Sequence, residues 1–448
     1  MNKDKQKEQE KQASQEQSSY LERGCYRFLY RLLVVLDECL DRRLVVTFLS
    51  LIMVVIMHRH RNQGLLLSEL GGYLKPASHA PAGTKRISNL LHAPGWAAEM
   101  VDGYLWVQAE ERVDALTGAG KTALAIWDES VMEKSESLKL EGLCAVRSSK
   151  AKRLKRIKPG YFNPPGGRPI CVPGYHWLQV LVLGMEGSVT VAKMRWWSTR
   201  GDRATQQREV EAEVMHEASR SWGQKVIHVW DRGFAGAPWL SVALVHCVRF
   251  IMRWPKRYHL LDELGQERKA WEITRGKRSW EHRMLWDARH RCQRKVGIFA
   301  CPVFDKDHHH SLWLVVSRPG SGREPWYLLT NEPVHTPAEA WQVVLAYARR
   351  WNIEMSIRFD KCELAFESLR VHKWETQLRL LSIATLAFAF LLSLLPDPET
   401  IDWLFRHWCH RTGKWRLKVK TPLYRLRSAL SRLWLAYLPP LIAKLNPG

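Results

Sequence analysis

Acidic residues are scarce in this chain. Its 448 residues carry 45 Asp and Glu against 68 Lys and Arg, a formal charge of +23 with a pI near 9.8. The basic excess is spread along the chain and favours polyanionic partners, nucleic acid first among them. The plainer alternatives are a basic housekeeping protein or contact with anionic lipid. Cysteine is sparse as well: nine residues at irregular spacing, with no Cys-x2-Cys. That argues against a zinc site and against a secreted disulfide scaffold, and scattered thiols suit a reducing cytoplasm. Long apolar runs are also missing. Leu44–Met57 has fourteen residues and Leu380–Leu395 sixteen, short of the ~20 that span a bilayer. Both are predicted to be buried helices in a protein with no membrane role. The long charged leader before the first run rules out a signal peptide.

Residues 1–18 are rich in Lys, Glu and Gln without an apolar face and are predicted to be a disordered leader. Residues 19–117 read as a helical N-terminal domain of the DNA-binding kind, with Lys85 and Arg86 near the start of a recognition segment, although many interaction domains share that pattern. The period then changes. Ala123–Trp127 is a short apolar run ending in Asp128, and Trp177–Leu183 and Val189–Trp197 form a hairpin through Glu186–Gly187. A polar helix over Ala204–Trp222 leads to the strand Val226–Trp230, which ends in Asp231. A helix around Ala237–His246 and a strand Val248–Trp254 follow. Three strands, helix, strand, helix, strand is the ribonuclease H-like order, an α/β fold with one acid on the first strand and another just after the fourth. Asp128 and Asp231 occupy those places. The core is expected over 118–254 plus 331–396, with a β-rich insertion at 255–330 and a basic helical tail at 397–448.

The run Tyr347–Lys361 (YARRWNIEMSIRFDK) carries the chemistry. On one helix turning about 100° per residue, Tyr347, Arg350, Glu354 and Lys361 fall within an arc of roughly 60°. A carboxylate there can hold a divalent cation, the cations can hold phosphates, and the phenol can hydrogen-bond a phosphate oxygen. Phosphodiester chemistry is served by two divalent ions held by a few hard carboxylates. Asp128, Asp231 and Glu354 are the candidate metal-binding and catalytic acids, with Asp128 the bridging ligand. Singly, each has a plain reading: Asp128 as a turn cap, Asp231 in ordinary Asp-Arg-Gly turn chemistry, Glu354 paired with Arg358.

The segments IWDES at 126–130, HVWDRGF at 228–234, WYLLTNEP at 326–333 and the run 347–361 together resemble the successive motifs of IS4-family DDE transposases, over about residues 120–395. The resemblance implies a DNA transposase that cuts at inverted-repeat ends and transfers strands with two Mg2+ ions, for which Mn2+ may stand in. It assigns transposon-end phosphates to Tyr347, Arg350 and Lys361. It also implies a bacterial, nucleoid-associated protein working on double-stranded DNA as a homodimer. Arg253, Lys256 and Arg257 are a candidate DNA-facing cluster, and the basic loop Arg147–Lys158 is a second. In some family members an aromatic of the insertion holds a flipped base. Trp254, Trp271, Trp280, Trp286, Trp313 and Trp326 are available for that role.

ALTGAGKT at 115–122 satisfies a relaxed phosphate-loop pattern, but the helix precedes it and the strand follows, the reverse of a phosphate loop. No nucleotide is expected there. His308–His310 and Arg200–Asp202 read as a loop and a turn. Two rival functions remain: a nuclease of the same fold without strand transfer, and a non-enzymatic inverted-repeat-binding protein derived from a transposase.

Overall fold

The computed structural model describes residues 2–135, 139–148, 170–287, 292–307, 309–320, 323–409 and 423–445. The basic loop proposed at Arg147–Lys158 falls mostly outside them, as do His308 and Trp415.

Five helices come first: α1 (Asn2–Cys39), α2 (Arg42–Met57), α3 (Leu67–Leu74), α4 (Ala80–His92) and α5 (Ala98–Gly118). The leader is therefore helical from residue 2 rather than disordered. Its Lys, Glu and Gln are good helix formers, and further along α1 the Ser18 hydroxyl donates to Tyr437 O at 2.7 Å. In α2 every residue from Thr47 to Met57 is buried, which accounts for an apolar run too short for a membrane. Helices α3 and α4 cross so closely that a β-carbon on Gly83 would meet Gly71 O at 2.2 Å. Arg86 on α4 turns inward, donating through Nε to Thr47 Oγ1 at 2.6 Å and through Nη2 to Arg43 O at 3.2 Å. Of the two cations proposed for recognition, only Lys85 faces solvent.

A mixed α/β body follows, built on one twelve-stranded sheet. Strand β1 (Ala123–Glu133) pairs antiparallel with β3 (Cys171–Gly184), and β3 in turn with β4 (Val189–Trp197) and the short β2 (Cys144–Arg147). On its other side β1 pairs parallel with β5 (Val226–Trp230), and β5 pairs parallel with β6 (Arg249–Arg253). Helices α6 (Gln207–Trp222) and α7 (Ala237–Val245) make the crossovers. Alternation along the strands divides the core. Leu124, Ile126, Ile227 and Val229 face one side, Ala125, Trp127, Val226 and Trp230 the other. Central strands covered on both faces read as continuous apolar runs.

The 255–330 segment continues the same sheet. Strand β12 (Trp326–Thr330) pairs antiparallel with β6, and β11 (Ser311–Arg318), β10 (Cys292–Phe304), β7 (His259–Leu261) and β8 (Glu267–Lys269) extend it outward. A short α8 (Ala270–Ile273) follows β8, and β9 (Glu281–Asp287) pairs with β10 as a hairpin.

Helices α9 (Pro337–Ala348), α10 (Trp351–Cys362) and α11 (Trp374–Ser393) cover the face bearing Leu124 and Ile126. By length and composition α11 could cross a membrane, but 78% of its apolar window is buried inside the molecule. It begins six residues ahead of the apolar run seen in the sequence. The chain ends with α12 (Pro398–His407), α13 (Leu423–Ala436) and α14 (Pro440–Leu445). Helix α13 buries Leu426, Leu430, Leu433 and Trp434 in the main core. Its Arg427, 1% exposed, donates to Ile56 O at 3.3 Å, Val55 O at 2.6 Å, His58 O at 2.8 Å and Glu363 O. One guanidinium thus caps the carbonyl ends of α2 and α10 together.

Candidate active site

Register brings the two aspartates together. Ile126 pairs with Val229 at the last rung of the parallel β1–β5 ladder, so Asp128 and Asp231, each two residues further on, lie at the same end of adjacent strands, near enough for the Asp231 charge to act on Asp128. Alternation points both toward the face covered by α9 and α10, since Ile126 and Val229 face it. Asp231 is fixed by its own turn, in which Gly233 N donates to Asp231 Oδ1 at 2.6 Å. A β-carbon at 233 would come within 2.9 Å of that oxygen, so a larger residue there would displace the Asp231 carboxylate.

Helix α10 lies over β1 and β3 with Ile353, Ser356, Phe359 and Asp360 buried beneath it. This sets Glu354 on the rim, its side chain 36% exposed. The Arg350 guanidinium reaches Asp128 Oδ2 at 3.5 Å through Nη1 and Glu354 Oε1 through Nη2. Burial, then the neighbouring Asp231 charge, pushes the Asp128 carboxyl up to about 7, against Arg350, with Glu354 adding to the rise. Asp231 and Glu354 thus both lie near enough to act on Asp128.

The four signature residues do not share one uninterrupted helix. Arg349 N bonds Ala346 O at 3.1 Å, Arg350 N bonds Tyr347 O at 3.0 Å and Ile353 N bonds Arg350 O at 3.1 Å, a tightened 3-10 turn that divides α9 from α10. Tyr347 is accordingly buried in α9, 3% exposed, with its ring edge-on to Trp326 at 5.1 Å and beneath Arg350 at 5.9 Å. Its hydroxyl has no hydrogen-bond partner of good geometry, although Arg253 and Arg350 lie beside it and oppose the rise in its pKa caused by burial. Arg253 also sits over Trp326 at 5.8 Å. Lys361 lies two turns beyond Glu354, in the last turn of α10. Lys256 follows β6 at the same sheet end and pairs with Glu324 at 2.5 Å, while Arg257 lines a separate cleft with Trp254 and Asp305. Of the aromatics proposed for base contact, Trp254 is buried, Trp280 and Trp286 are 43% and 59% exposed, and Trp326 belongs to the site.

Two polar groups escaped the sequence reading. Gln179, opposite Asp128 in the β1–β3 register, donates to buried Asp360 Oδ2 at 3.2 Å. Gln179 is the one polar side chain in the run WLQVLVL, a visible signal. On the opposite sheet face, fully buried Glu211 of α6 accepts from Arg208 at 2.6 Å and Gln207 at 3.0 Å. Gln207 also donates to Glu129, whose carboxyl is pushed well up by burial and by Glu211. Arg208 reaches Gly233 O at 3.4 Å. Helix α6 thereby holds both aspartate-bearing segments.

Asp128 lends itself to a direct measurement. Its folded pKa lies above its unfolded value near 3.9, so the metal-free fold binds the extra proton and loses stability as pH rises from about 4 to about 7. Asp128→Asn removes that cost. The variant is expected to be more stable than wild type at pH 8, by roughly 2–4 kcal/mol, and equal to it near pH 4, by chemical denaturation without divalent metal. Lower stability of the variant at pH 8 would refute the strained placement of this carboxyl.

Hard carboxylate oxygens at a shared electronegative point fit a divalent cation of the Mg2+ kind. Among the described residues no three His, Cys, Asp or Glu side chains are arranged around one position, and Arg350 contacts both Asp128 and Glu354.

No family model matches the sequence, and no curated protein matches it. The IS4 likeness thus stays one of motifs. Among solved structures the chain is similar to the cryo-EM structure of the piggyBac transposase synaptic complex with hairpin DNA. The identity is 16%, the match covers 72% of this chain and 57% of that one, and the TM-score is 0.33. The chain thus spans little more than half of that structure's length. A likeness at this level carries no conclusion about fold or function.

Proposed function

We propose that this protein is a DNA transposase of the DDE kind, cutting double-stranded DNA at the inverted ends of its element and joining them to a target. One observation carries the reading: Asp231 and Glu354, far from Asp128 in sequence, gather round it at the ends of adjacent central strands, Glu354 sharing Arg350 with it. The strand order β4-β3-β1-β5-β6, antiparallel then parallel, is the one expected of a ribonuclease H-like core and supports the reading.

The three acids would hold two Mg2+ or Mn2+ ions, which when bound activate an attacking oxygen and stabilise the leaving one. The chain's own residues do the rest. Arg350 and Arg253 supply charge for a phosphate, and the buried Tyr347 hydroxyl beside them, with no well-aligned hydrogen bond of its own, supplies one that a phosphate oxygen completes. The Glu129 amide N–H donates to Asp128 Oδ1 at 2.9 Å and fixes its rotamer. Gly233 N does the same for Asp231. A water attacks first to free a 3′-hydroxyl, and that hydroxyl then attacks a target phosphodiester in line. Lys361, Lys256 and Arg257 serve the flanking backbone, and pairing two ends engages at least two copies. Such a protein would work in the bacterial cytoplasm, at the nucleoid.

The test incubates purified protein with linear DNA carrying the repeats that flank its gene, plus a supercoiled target. Joined products with a short target duplication are expected in Mg2+ and absent in EDTA. Cleavage without joined products would favour a nuclease, and end binding without cleavage a DNA-binding derivative.

A further inference from the structure

Arg350 makes two contacts that a metal-holding site does not tolerate together with its metal. Its guanidinium pairs with Asp128 Oδ2 and with Glu354 Oε1, and its side chain is only 14% exposed. The other Asp128 oxygen accepts from Glu129 N, so both oxygens of that carboxylate are engaged. A guanidinium and a dication at one pair of carboxylates repel. Like charges a few ångströms apart in a poorly exposed site repel strongly, so a dication excludes the arginine or the arginine excludes it.

Arg350 has somewhere else to go. It already lies over the Tyr347 ring, beside a buried hydroxyl that Arg253 also approaches, at poor hydrogen-bond geometry. A phosphodiester entering there would take both N–H donors of the Arg350 fork and the Tyr347 hydroxyl. That withdraws Arg350 from Asp128 and Glu354 and exposes their oxygens.

Resting on the function proposed above, we propose that Arg350 gates the metal site: in the free protein it serves as the internal cation of Asp128 and Glu354, and a DNA phosphate releases the two acids to divalent ions. DNA and metal then bind with positive coupling, and because coupling is reciprocal each raises the other's affinity by the same factor. The hinge is the tightened turn at 349–352, which lets Arg350 swing while α10 stays packed.

The gate is read from Mn2+ binding, not from turnover. Free Mn2+ is followed by electron paramagnetic resonance during titration of wild type, Arg350→Gln and Asp231→Ala, each with and without a random-sequence DNA duplex. Asp231→Ala with duplex corrects for ions held by DNA alone, and thermal melts verify that each variant is folded. Without DNA, Arg350→Gln is expected to bind Mn2+ at least about tenfold more tightly than wild type. Duplex should raise wild-type affinity by about tenfold or more and leave Arg350→Gln nearly unchanged. Equal Mn2+ affinity of DNA-free wild type and Arg350→Gln, at a level above Asp231→Ala, overturns the gate and leaves the metal site standing. If neither exceeds Asp231→Ala with or without duplex, the metal-dependent function itself falls.

Discussion

Alanine at Asp231 is expected to lower DNA cleavage by at least about 10³-fold while affinity for the DNA ends stays within about threefold of wild type. The carboxylate lies near Asp128 at the end of a neighbouring strand, in a turn that α6 also holds. Arg208 donates to Gly233 O and is paired with buried Glu211, so the variant should fold although it loses the Gly233 N–H bond to Asp231 Oδ1. Asp231 also raises the Asp128 carboxyl more than any other neighbouring charge. Its removal therefore takes away one proposed metal ligand and relaxes a second acid. Glu211→Ala gives the contrast. It touches no reacting atom and only orients Glu129 and the 231–233 turn, so a loss of about 10–100-fold, typical of an outer-shell partner, is expected. Cleavage and end affinity measured in parallel decide the matter. Full cleavage by Asp231→Ala would end the assignment of this acid.

Arg427→Ala is expected to be the most destabilising single change in the chain, by about 3–5 kcal/mol. The guanidinium satisfies four carbonyls, from Val55, Ile56 and His58 at the end of α2 and from Glu363 just past α10. Each buried carbonyl left unsatisfied costs ~1–3 kcal/mol, and the cavity adds to that. Arg427→Met separates the two contributions, since it refills most of the volume and restores none of the hydrogen bonds. If capping dominates, Met should recover less than about 1.5 kcal/mol of the loss in chemical denaturation. A Met variant as stable as wild type would make Arg427 a space-filler.

The sites most legible in the sequence were those fixed by strand periodicity. ALAIW and VIHVW are buried on both faces and each ends in an aspartate, and a period of two sends both carboxylates to the same side once the strands pair. The hairpin around Glu186–Gly187 was equally readable, because two strand-like runs flank a tight turn. What failed depends on distant partners. The run 347–361 favours helix throughout, and nothing local marks the 3-10 turn that sends Tyr347 into the core and leaves Arg350 between two acids. Arg427 reads as one more cation in a basic tail, yet it is buried because two helix ends about 370 and 64 residues upstream present bare carbonyls to it. Arg86 misled in the same way, its inward partners Thr47 and Arg43 lying on another helix. The leader's helix was missed because low apolarity was weighed above the helix-forming tendency of Lys, Glu and Gln.

The pairing of β12 with β6 decides how this protein can be cut into pieces. Leu328 to Thr330 lie against Ile251 to Arg253, so the strands of 259–330 have no separate sheet to fold into. A truncated core ending near residue 254 would present β6 as a bare edge between buried faces, with Phe250, Ile251 and Met252 fully covered in the intact chain. Unpaired edges of that kind recruit other chains. Expression of such a fragment should yield aggregates, and a soluble working fragment must keep everything from β1 through α11 in one polypeptide.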